Sequence, residues 1–251
     1  MSKLRVCALY PDLMNIYADR GNLLVLERRC VWRGLGFELS ARGLGERLDD
    51  AAEHDLFYLG GGQDRDQRLC AEDLVNLKRE GLHAAAARGA IVLGVCGGYQ
   101  LLGESYELGP GETLPGVGLL AVRTVRVAGP RLIGNVAIEV DLDAADGDGS
   151  GQARLLAGFE NHGGRTHLSA GQSALGRVLS GHGNDGRSGL EGARSGNVIG
   201  TYLHGPLLPK NVWFADWLIA TALGIAPAEL APLDDELELQ AHRDARRAAG
   251  V

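Results

Sequence analysis

The apolar positions of the first hundred residues fall into short runs separated by stretches of helical period. Residues 4–10 (Leu4, Val6, Cys7, Ala8, Leu9, Tyr10) form a run that predicts a buried first strand. A turn-like segment follows over 11–21, and Asn22 stands where it can cap a helix over about 23–32 that Gly34 and Gly36 end. Residues 37–41 predict a second strand. A third, Leu56-Phe57-Tyr58-Leu59, runs straight into Gly60-Gly61-Gly62-Gln63-Asp64. Helical spacing returns over 65–88, with a break expected near Gly81, and 90–95 predicts a fourth buried strand. This alternation predicts an α/β fold of three layers, a mostly parallel sheet with helices on both faces. In such sheets sites form beyond the carboxyl ends of the strands. Segment 10–21, loop 60–64 and Cys96 are therefore expected on one edge.

From Pro110 the pattern changes. Residues 116–120, 122–127 and 136–140 predict β segments joined by turns, and 141–151 predicts an acidic, Gly-rich, solvated hairpin tip. Residues 155–159 lead into Glu160-Asn161-His162-Gly163-Gly164-Arg165-Thr166, and Gly- and charge-rich 181–196 predicts a mobile surface loop. A strand over 197–203 ends at His204-Gly205-Pro206. A helix over 211–223, anchored by Trp213, Phe214, Trp217 and Leu218, stops at Gly224. An amphipathic helical tail from about 234 to 249 is expected to fray in part. No repeat and no Ser/Pro linker divides the chain, so 1–251 is read as a single domain.

The most informative stretch is 90–104, AIVLGVCGGYQLLGE. A buried strand, a glycine-flanked Cys96 and a return to helical spacing describe a nucleophile elbow with Cys in the Ser position. A sharp strand-to-helix turn strains its apex and crowds its neighbours, so small residues must flank it. The helix N-terminus behind Cys96 is expected to favour a thiolate, and its N–H groups face a developing oxyanion. The alternative is a buried structural Cys at a Gly-rich strand end. Cys7, Cys30 and Cys70 sit in apolar or helical patterns and are expected in the core.

A Cys nucleophile needs a base and oxyanion donors. Among seven histidines, His204 stands just past a predicted strand end, on the edge expected for Cys96. His162, inside a polar Gly-rich motif, is the rival base. The glycines 60–62 can turn N–H groups inward without side-chain clash and, with Gly97 N–H, complete an oxyanion hole. Such a donor is worth about 3 kcal/mol in the transition state. The alternative for this loop is a plain tight turn.

Composition narrows the classes. Hydrophobic residues at 45% and charged residues at 23% fit a globular chain, and no run of 18 apolar residues predicts a membrane span. The N-terminus enters a strand-like run without a signal-peptide plan. A formal net charge of −7 argues against a nucleic-acid partner. Four cysteines without a C-x-x-C pair suggest neither a zinc site nor a disulfide framework, so a reducing cytoplasm is expected. There is no G-x-x-x-x-G-K-[ST] loop and no G-x-G-x-x-G opening a helix, so ATP, if used, is expected on another chain.

Together, Gly94-Val95-Cys96-Gly97-Gly98-Tyr99-Gln100, the Gly60-Gly61-Gly62-Gln63-Asp64 loop and strand-terminal His204 resemble the class I glutamine amidotransferases. The resemblance is closest to the branch that also holds cobyric acid synthase, whose Glu-x-His-x-Gly-Arg-Thr segment is similar to 160–166. Leu13-Met14-Asn15-Ile16-Tyr17-Ala18-Asp19-Arg20-Gly21-Asn22 and Gly200-Thr201-Tyr202-Leu203-His204-Gly205-Pro206 resemble, more narrowly, glutaminase subunits that serve a Mur-ligase-like synthetase subunit in lipid II amidation. The resemblance implies a flavodoxin-like core. It implies that Cys96 attacks the side-chain amide of L-glutamine, that His204 moves the protons, and that N–H groups of Gly61, Gly62 and Gly97 hold the oxyanion. It assigns glutamine contacts to Arg131, Gln100 and Gly60, with Glu160, His162 and Asp19 as candidate supporting residues. It implies no metal or cofactor in this chain, with ATP and Mg on the synthetase partner of a heterodimer. Lipid II is reached through that partner at the inner face of the cell membrane.

One position departs from the family pattern. A Glu usually stands two residues after the catalytic His, and here that residue is Pro206. Glu160, another residue of this chain, or a partner carboxylate must then orient the ring, and the partner is favoured. The alternatives are a cobyric- or cobyrinic-acid-type enzyme, which usually carries its ATP-binding domain on the same chain and is not expected to fit in 251 residues, a stand-alone Cys peptidase or γ-glutamyl hydrolase, and a catalytically silent regulatory subunit.

Overall fold

The computed structural model describes residues 2–16, 19–140, 142 and 154–251. Tyr17, Ala18 and the expected acidic tip at 141–151, apart from Leu142, lie outside the described residues. The first half follows the apolar runs: β1 (Lys3–Leu9), α1 (Arg20–Trp32), β2 (Gly36–Arg42), β3 (Leu56–Leu59), α2 (Asp64–Asp73), α3 (Arg79–Ala87), β4 (Ile91–Val95) and α4 (Gly97–Leu102). β3 and β4 are buried at every position, which is why they read as unbroken apolar runs rather than alternations. The second half adds β5 (Ser105–Gly109), β6 (Glu112–Pro115), β7 (Val122–Arg126), β8 (Leu132–Val140), β9 (Arg154–His162) and β10 (Gly164–Leu168). It closes with β11 (Gly176–Ser180), β12 (Leu190–Glu191), β13 (Ala193–Ser195), β14 (Val198–Thr201), α5 (Val212–Leu223) and α6 (Glu236–Ala249).

The main sheet has the order β13-β14-β4-β3-β1-β2, parallel except for the β13–β14 hairpin. From β1 the chain crosses one way to β2, and from β3 the opposite way to β4. Right-handed crossovers therefore set α1 and the α2–α3 segment on opposite faces. The order reverses between β1 and β3, so the crevice beyond their carboxyl ends is where a ligand site is expected. Two further four-stranded sheets, β10-β7-β5-β6 and β12-β11-β8-β9, are built from the strands that follow α4. Cys7, Cys30 and Cys70 are fully buried in the core, as expected. No described helix is long and apolar enough to cross a membrane.

Several expectations are corrected. Residues 116–120 are not a strand. Their N–H groups bond back to the end of α4, Val117 to Leu101 O at 2.9 Å and Leu119 to Leu102 O at 3.0 Å, so Val117 and Leu120 are buried as a helix cover. Asn22 does not cap α1, because the helix already starts at Arg20, whose N–H donates to Asn15 Oδ1 at 3.0 Å. Asn22 is instead a buried cross-link, donating to the Tyr58 hydroxyl and accepting the Leu208 N–H, each at 2.8 Å. The 65–88 helix is interrupted at a π turn, Leu74–Lys78, and not at Gly81. That wider turn brings residues five apart onto one face, and the buried Lys78 ammonium duly pairs with Asp73.

The 181–196 segment is not a loose surface loop. Asn184 and Glu191 within it are fully buried. Glu160 accepts its His182 and Gly183 N–H groups at 2.6 and 2.9 Å. Its glycines answer to geometry, with positive φ at Gly181, Gly183, Gly186, Gly189, Gly192 and Gly196. Nor is the C-terminal helix frayed: it runs to a left-handed Gly250, and Asn135 Nδ2 still holds Ala248 O at 3.0 Å. The buried Arg29 fork ties α1 to Asp216 on α5 and to Asp235 at the start of α6.

Candidate active site

The elbow has the strain its glycines forecast. Cys96 sits at φ 53°, ψ −106°, a conformation disfavoured for any residue with a Cβ. Surrounding contacts enforce it. The Cys96 N–H donates to Thr201 O at 2.8 Å and the Gly98 N–H to Gly60 O at 3.0 Å. A Cβ at Gly98 would overlap the Leu59 carbonyl, and one at Gly200 would overlap the Tyr99 ring. The elbow, loop 60–62 and the end of β14 thus fix one another's positions. Three residues beyond Thr201, His204 exchanges backbone hydrogen bonds with Phe159 at 2.9 and 3.1 Å, and its ring meets the Phe159 ring edge-on. Cys96 and His204 therefore ride on neighbouring strand ends. Cys96 lines a cavity of about 510 Å³, whereas His204 is fully buried and is not among the described residues that line it.

Gly62, Gln100, Arg131 and His162 line that cavity with Cys96. The Gly97 N–H is directed at the thiol, and the Gly62 amide nitrogen lies 2.8 Å from where Gly97 would carry a Cβ. Gly62 and Gly97 thus lie side by side next to the Cys96 thiol. Gly61 differs from expectation, because its N–H is already given to Asp19 Oδ2 at 2.5 Å. Gly60 spends its carbonyl on the elbow, and neither Gly60 nor Gly61 is among the described residues lining the cavity. Asp19 is buried and serves as the anchor of this loop.

Arg131, just before β8, is held by Asn161, with Nε to Oδ1 at 2.6 Å and Nη2 to O at 2.7 Å, so its guanidinium is pre-set at the cavity. His162 stacks on Tyr202 with ring centroids 3.6 Å apart. Its Nδ1 donates to Gly164 O at 2.8 Å, and its Nε2 lies 3.8 Å from Glu160 Oε2. Glu160 points to the 181–184 turn and to His162, and orients these rather than the strand-terminal His.

Sequence reasoning missed a chain of buried side chains behind the cavity. Gln67 Nε2 donates to Gln100 Oε1 at 2.8 Å, and Gln100 Nε2 donates to the Tyr202 hydroxyl at 3.1 Å. The Tyr202 hydroxyl meets Thr166 Oγ1 at 2.6 Å, and Thr166 meets Thr124 at 2.7 Å. Its signal was a polar residue at an inward helical position: Gln67 lies three and four before buried Cys70 and Ala71.

Electrostatics correct one more expectation. Burial, reinforced by the Asp19 carboxylate, pushes the Cys96 thiol up to about 12, against the Gly97 N–H and Arg131. Desolvation outweighs a helix of only six residues, so no thiolate is favoured at rest. Burial, then His162, Lys210 and Arg131, bring His204 down to about 4. The resting pair at neutral pH is a thiol and a neutral imidazole. Burial also raises Asp19 to about 7, opposed by the Gly61 N–H. A strained, cavity-lining thiol with backbone N–H groups beside it, an imidazole at the end of the adjacent strand and a guanidinium on the same cavity suit acyl transfer from a small substrate carrying a carboxylate.

Comparison with known proteins gives the same picture. Residues 5–212 match the model of the CobB/CobQ-like glutamine amidotransferase domain. The chain is 37% identical to the lipid II isoglutaminyl synthase (glutamine-hydrolyzing) subunit GatD of Staphylococcus aureus, covering 96% of this chain and 94% of that one. It is 36% identical to the subunit of the same name from Streptococcus pneumoniae, covering 88% and 81%. Among solved structures, that of PurLQS from Thermotoga maritima shares the fold with a TM-score of 0.58 at 21% identity, covering 96% of this chain and 98% of that one.

Proposed function

The chain belongs to the CobB/CobQ-like glutamine amidotransferase family, and on that premise we propose that it is the glutamine-hydrolysing subunit of a lipid II isoglutaminyl synthase. The observation that carries the chemistry is the strained Cys96 elbow opening on a cavity with Arg131 on its wall. The α-carboxylate of L-glutamine pairs with the Arg131 fork, which presents its amide to Cys96. Sulfur attacks the amide carbon as His204 takes the thiol proton. The oxyanion forms between Gly62 and Gly97 N–H groups, and the C–N bond breaks as His204 returns a proton to the leaving ammonia. Water then hydrolyses the thioester to glutamate and restores the thiol.

The ammonia passes to a Mur-ligase-like synthetase subunit in a heterodimer. That subunit holds ATP and Mg and activates the D-glutamate α-carboxyl of lipid II, giving D-isoglutamine in peptidoglycan synthesis. The complex works in the cytoplasm at the inner membrane face. The test is reconstitution with the synthetase subunit, ATP, Mg, lipid II and glutamine carrying ¹⁵N in its side-chain amide. The label is expected in the D-isoglutamine of the product. Label released only as free ammonia, with lipid II unchanged under conditions where added ammonium supports amidation, overturns the reading.

Arg131 gives a second check. Arg131→Ala is expected to raise KM for glutamine by about tenfold or more while kcat changes less, because the group it binds is remote from the reacting amide. An unchanged KM with a collapsed kcat would place Arg131 in the chemistry instead.

A further inference from the structure

Arg165 stands on β10, two residues past the cavity-lining Gly163, and its guanidinium gathers three backbone carbonyls. Nη1 donates to Gly163 O at 3.1 Å and to Gly164 O at 3.3 Å, and Nη2 donates to Pro130 O at 3.0 Å. Among the described residues it meets no carboxylate, whereas Arg123 and Arg126 on the neighbouring β7 pair with Glu104 and Asp64. A guanidinium carries its donors in a rigid plane. One fork satisfied by carbonyls from two segments therefore fixes those segments against each other.

The two segments frame Arg131. Pro130 is the residue before it, in a stretch, 127–131, that is exposed at every position. Within that stretch Gly129 takes a φ of 117° with open space where a Cβ would be, so side-chain packing there does little to set the path. Gly163 lies on the other side, and a Cβ there would stand 3.5 Å from Arg131 Nη1. Gly164 continues inward. A Cβ on it would overlap Thr124 and Gln100, and its carbonyl also accepts from His162 Nδ1 at 2.8 Å. The 163–164 turn is thus seated on buried groups, and Arg165 ties an exposed loop to it. Asn161 grips the Arg131 side chain at 2.6 and 2.7 Å, whereas Arg165 grips the main chain that delivers it.

We propose that Arg165 is a positioning residue for the α-carboxylate of glutamine: by clasping Pro130 O to the 163–164 turn, it holds the Arg131 guanidinium where that carboxylate arrives. This rests on the reading above that Arg131 binds the carboxylate, and adds a residue that acts through Arg131. Arg165 itself is not among the described residues that line the cavity. With the clasp made, the freedom of the exposed loop is lost on folding, and glutamine meets a fork already in place. Without it, the ligand must order Arg131 as it binds. That cost falls on binding and less on the chemical step, which takes place at the other end of the substrate.

The experiment measures KM and kcat for L-glutamine in the full chain, together with the Arg131 Nε–H signal by ¹⁵N NMR in the absence of substrate. Arg165→Met, which removes the donors and keeps an unbranched stem, is expected to raise KM roughly threefold to tenfold, the scale of a lost hydrogen bond from a charged donor, with kcat changed by less than about twofold. The Arg131 Nε–H, held by Asn161 in the parent, should broaden through faster exchange with water. In an Arg131→Ala chain the same substitution should raise KM by less than about twofold further, because its route to the substrate is gone. Arg165→Lys keeps the charge and gives up the planar fork. It is expected to raise KM as well, and it carries the test where the Met chain does not fold. Parent-like KM in both variants with the Arg131 signal unmoved overturns the proposal, as does a rise in KM that adds in full on Arg131→Ala. Full rescue of KM by lysine would make the effect one of charge and overturns the clasp. An Arg131→Ala chain with the parent's KM overturns the carboxylate reading instead, and the Nε–H signal then still decides whether Arg165 sets Arg131.

Discussion

Cys96→Ser is expected to lower glutamine hydrolysis by about 10⁴-fold or more, the scale of loss when a nucleophile acting with a base is removed. Serine fits the same strained turn, so thermal stability should stay near that of the parent. An electrophilic glutamine analogue should label Cys96 alone. The other three cysteines are fully buried, and burial raises Cys7 and Cys30 to about 11 and Cys70 to about 12. Cys96 is no more acidic than these. On the proposed mechanism its selectivity comes from the 6% of it that is exposed, the Gly62 and Gly97 donors, and the analogue's own seat on Arg131. Labelling at Cys7, Cys30 or Cys70 with Cys96 silent would remove it from the mechanism.

Adding the synthetase subunit is expected to raise kcat for glutamine hydrolysis by a large factor, with an upper bound of about 10⁴. That is the loss seen when a serine protease triad lacks its orienting acid. The motive is Pro206, together with Glu160, whose oxygens serve the 181–184 turn and His162. A thiol pushed up and an imidazole pushed down make the first proton transfer uphill in the chain alone. Within 13–22, Met14 and Asp19 are buried and Ile16 lines the cavity, so these described residues belong to the site's own wall. Full turnover by the chain alone, unchanged by the partner, would show that an internal group orients His204.

The parallel sheet was legible because two-sided burial writes itself as unbroken apolar runs, and 56–59 and 91–95 lie within the runs read from the sequence. The elbow was legible because steric crowding leaves glycine as the residue that fits beside Cys96. The antiparallel sheets were harder. β5 and β6 bury alternate residues and carry charges on their open face, which blurs into turn-rich sequence. Glycine richness at 181–196 looked like slack, whereas those residues meet positive φ around buried Glu191 and Asn184. The Asp19–Gly61 bond and the Gln67–Gln100–Tyr202 chain join residues 33 to 102 positions apart, and periodicity carries no trace of such pairs.

The side-chain relay behind Gln100 has a direction. An amide presents an acceptor at one end and donors at the other, and Gln100 is fixed with its oxygen toward Gln67 and its nitrogen toward Tyr202. The Tyr202 oxygen accepts from that nitrogen, which turns its own proton toward Thr166 and, through it, toward Thr124. The polarity of the glutamine cavity is thus referenced to two hydroxyls on β7 and β10, outside the parallel sheet. Thr166→Val would leave every cavity-lining residue in place, yet free Tyr202 to turn its proton and Gln100 to rotate by half a turn. The second sheet acts as a compass for the first: it supplies no reacting atom and sets which way the pocket's donors and acceptors face.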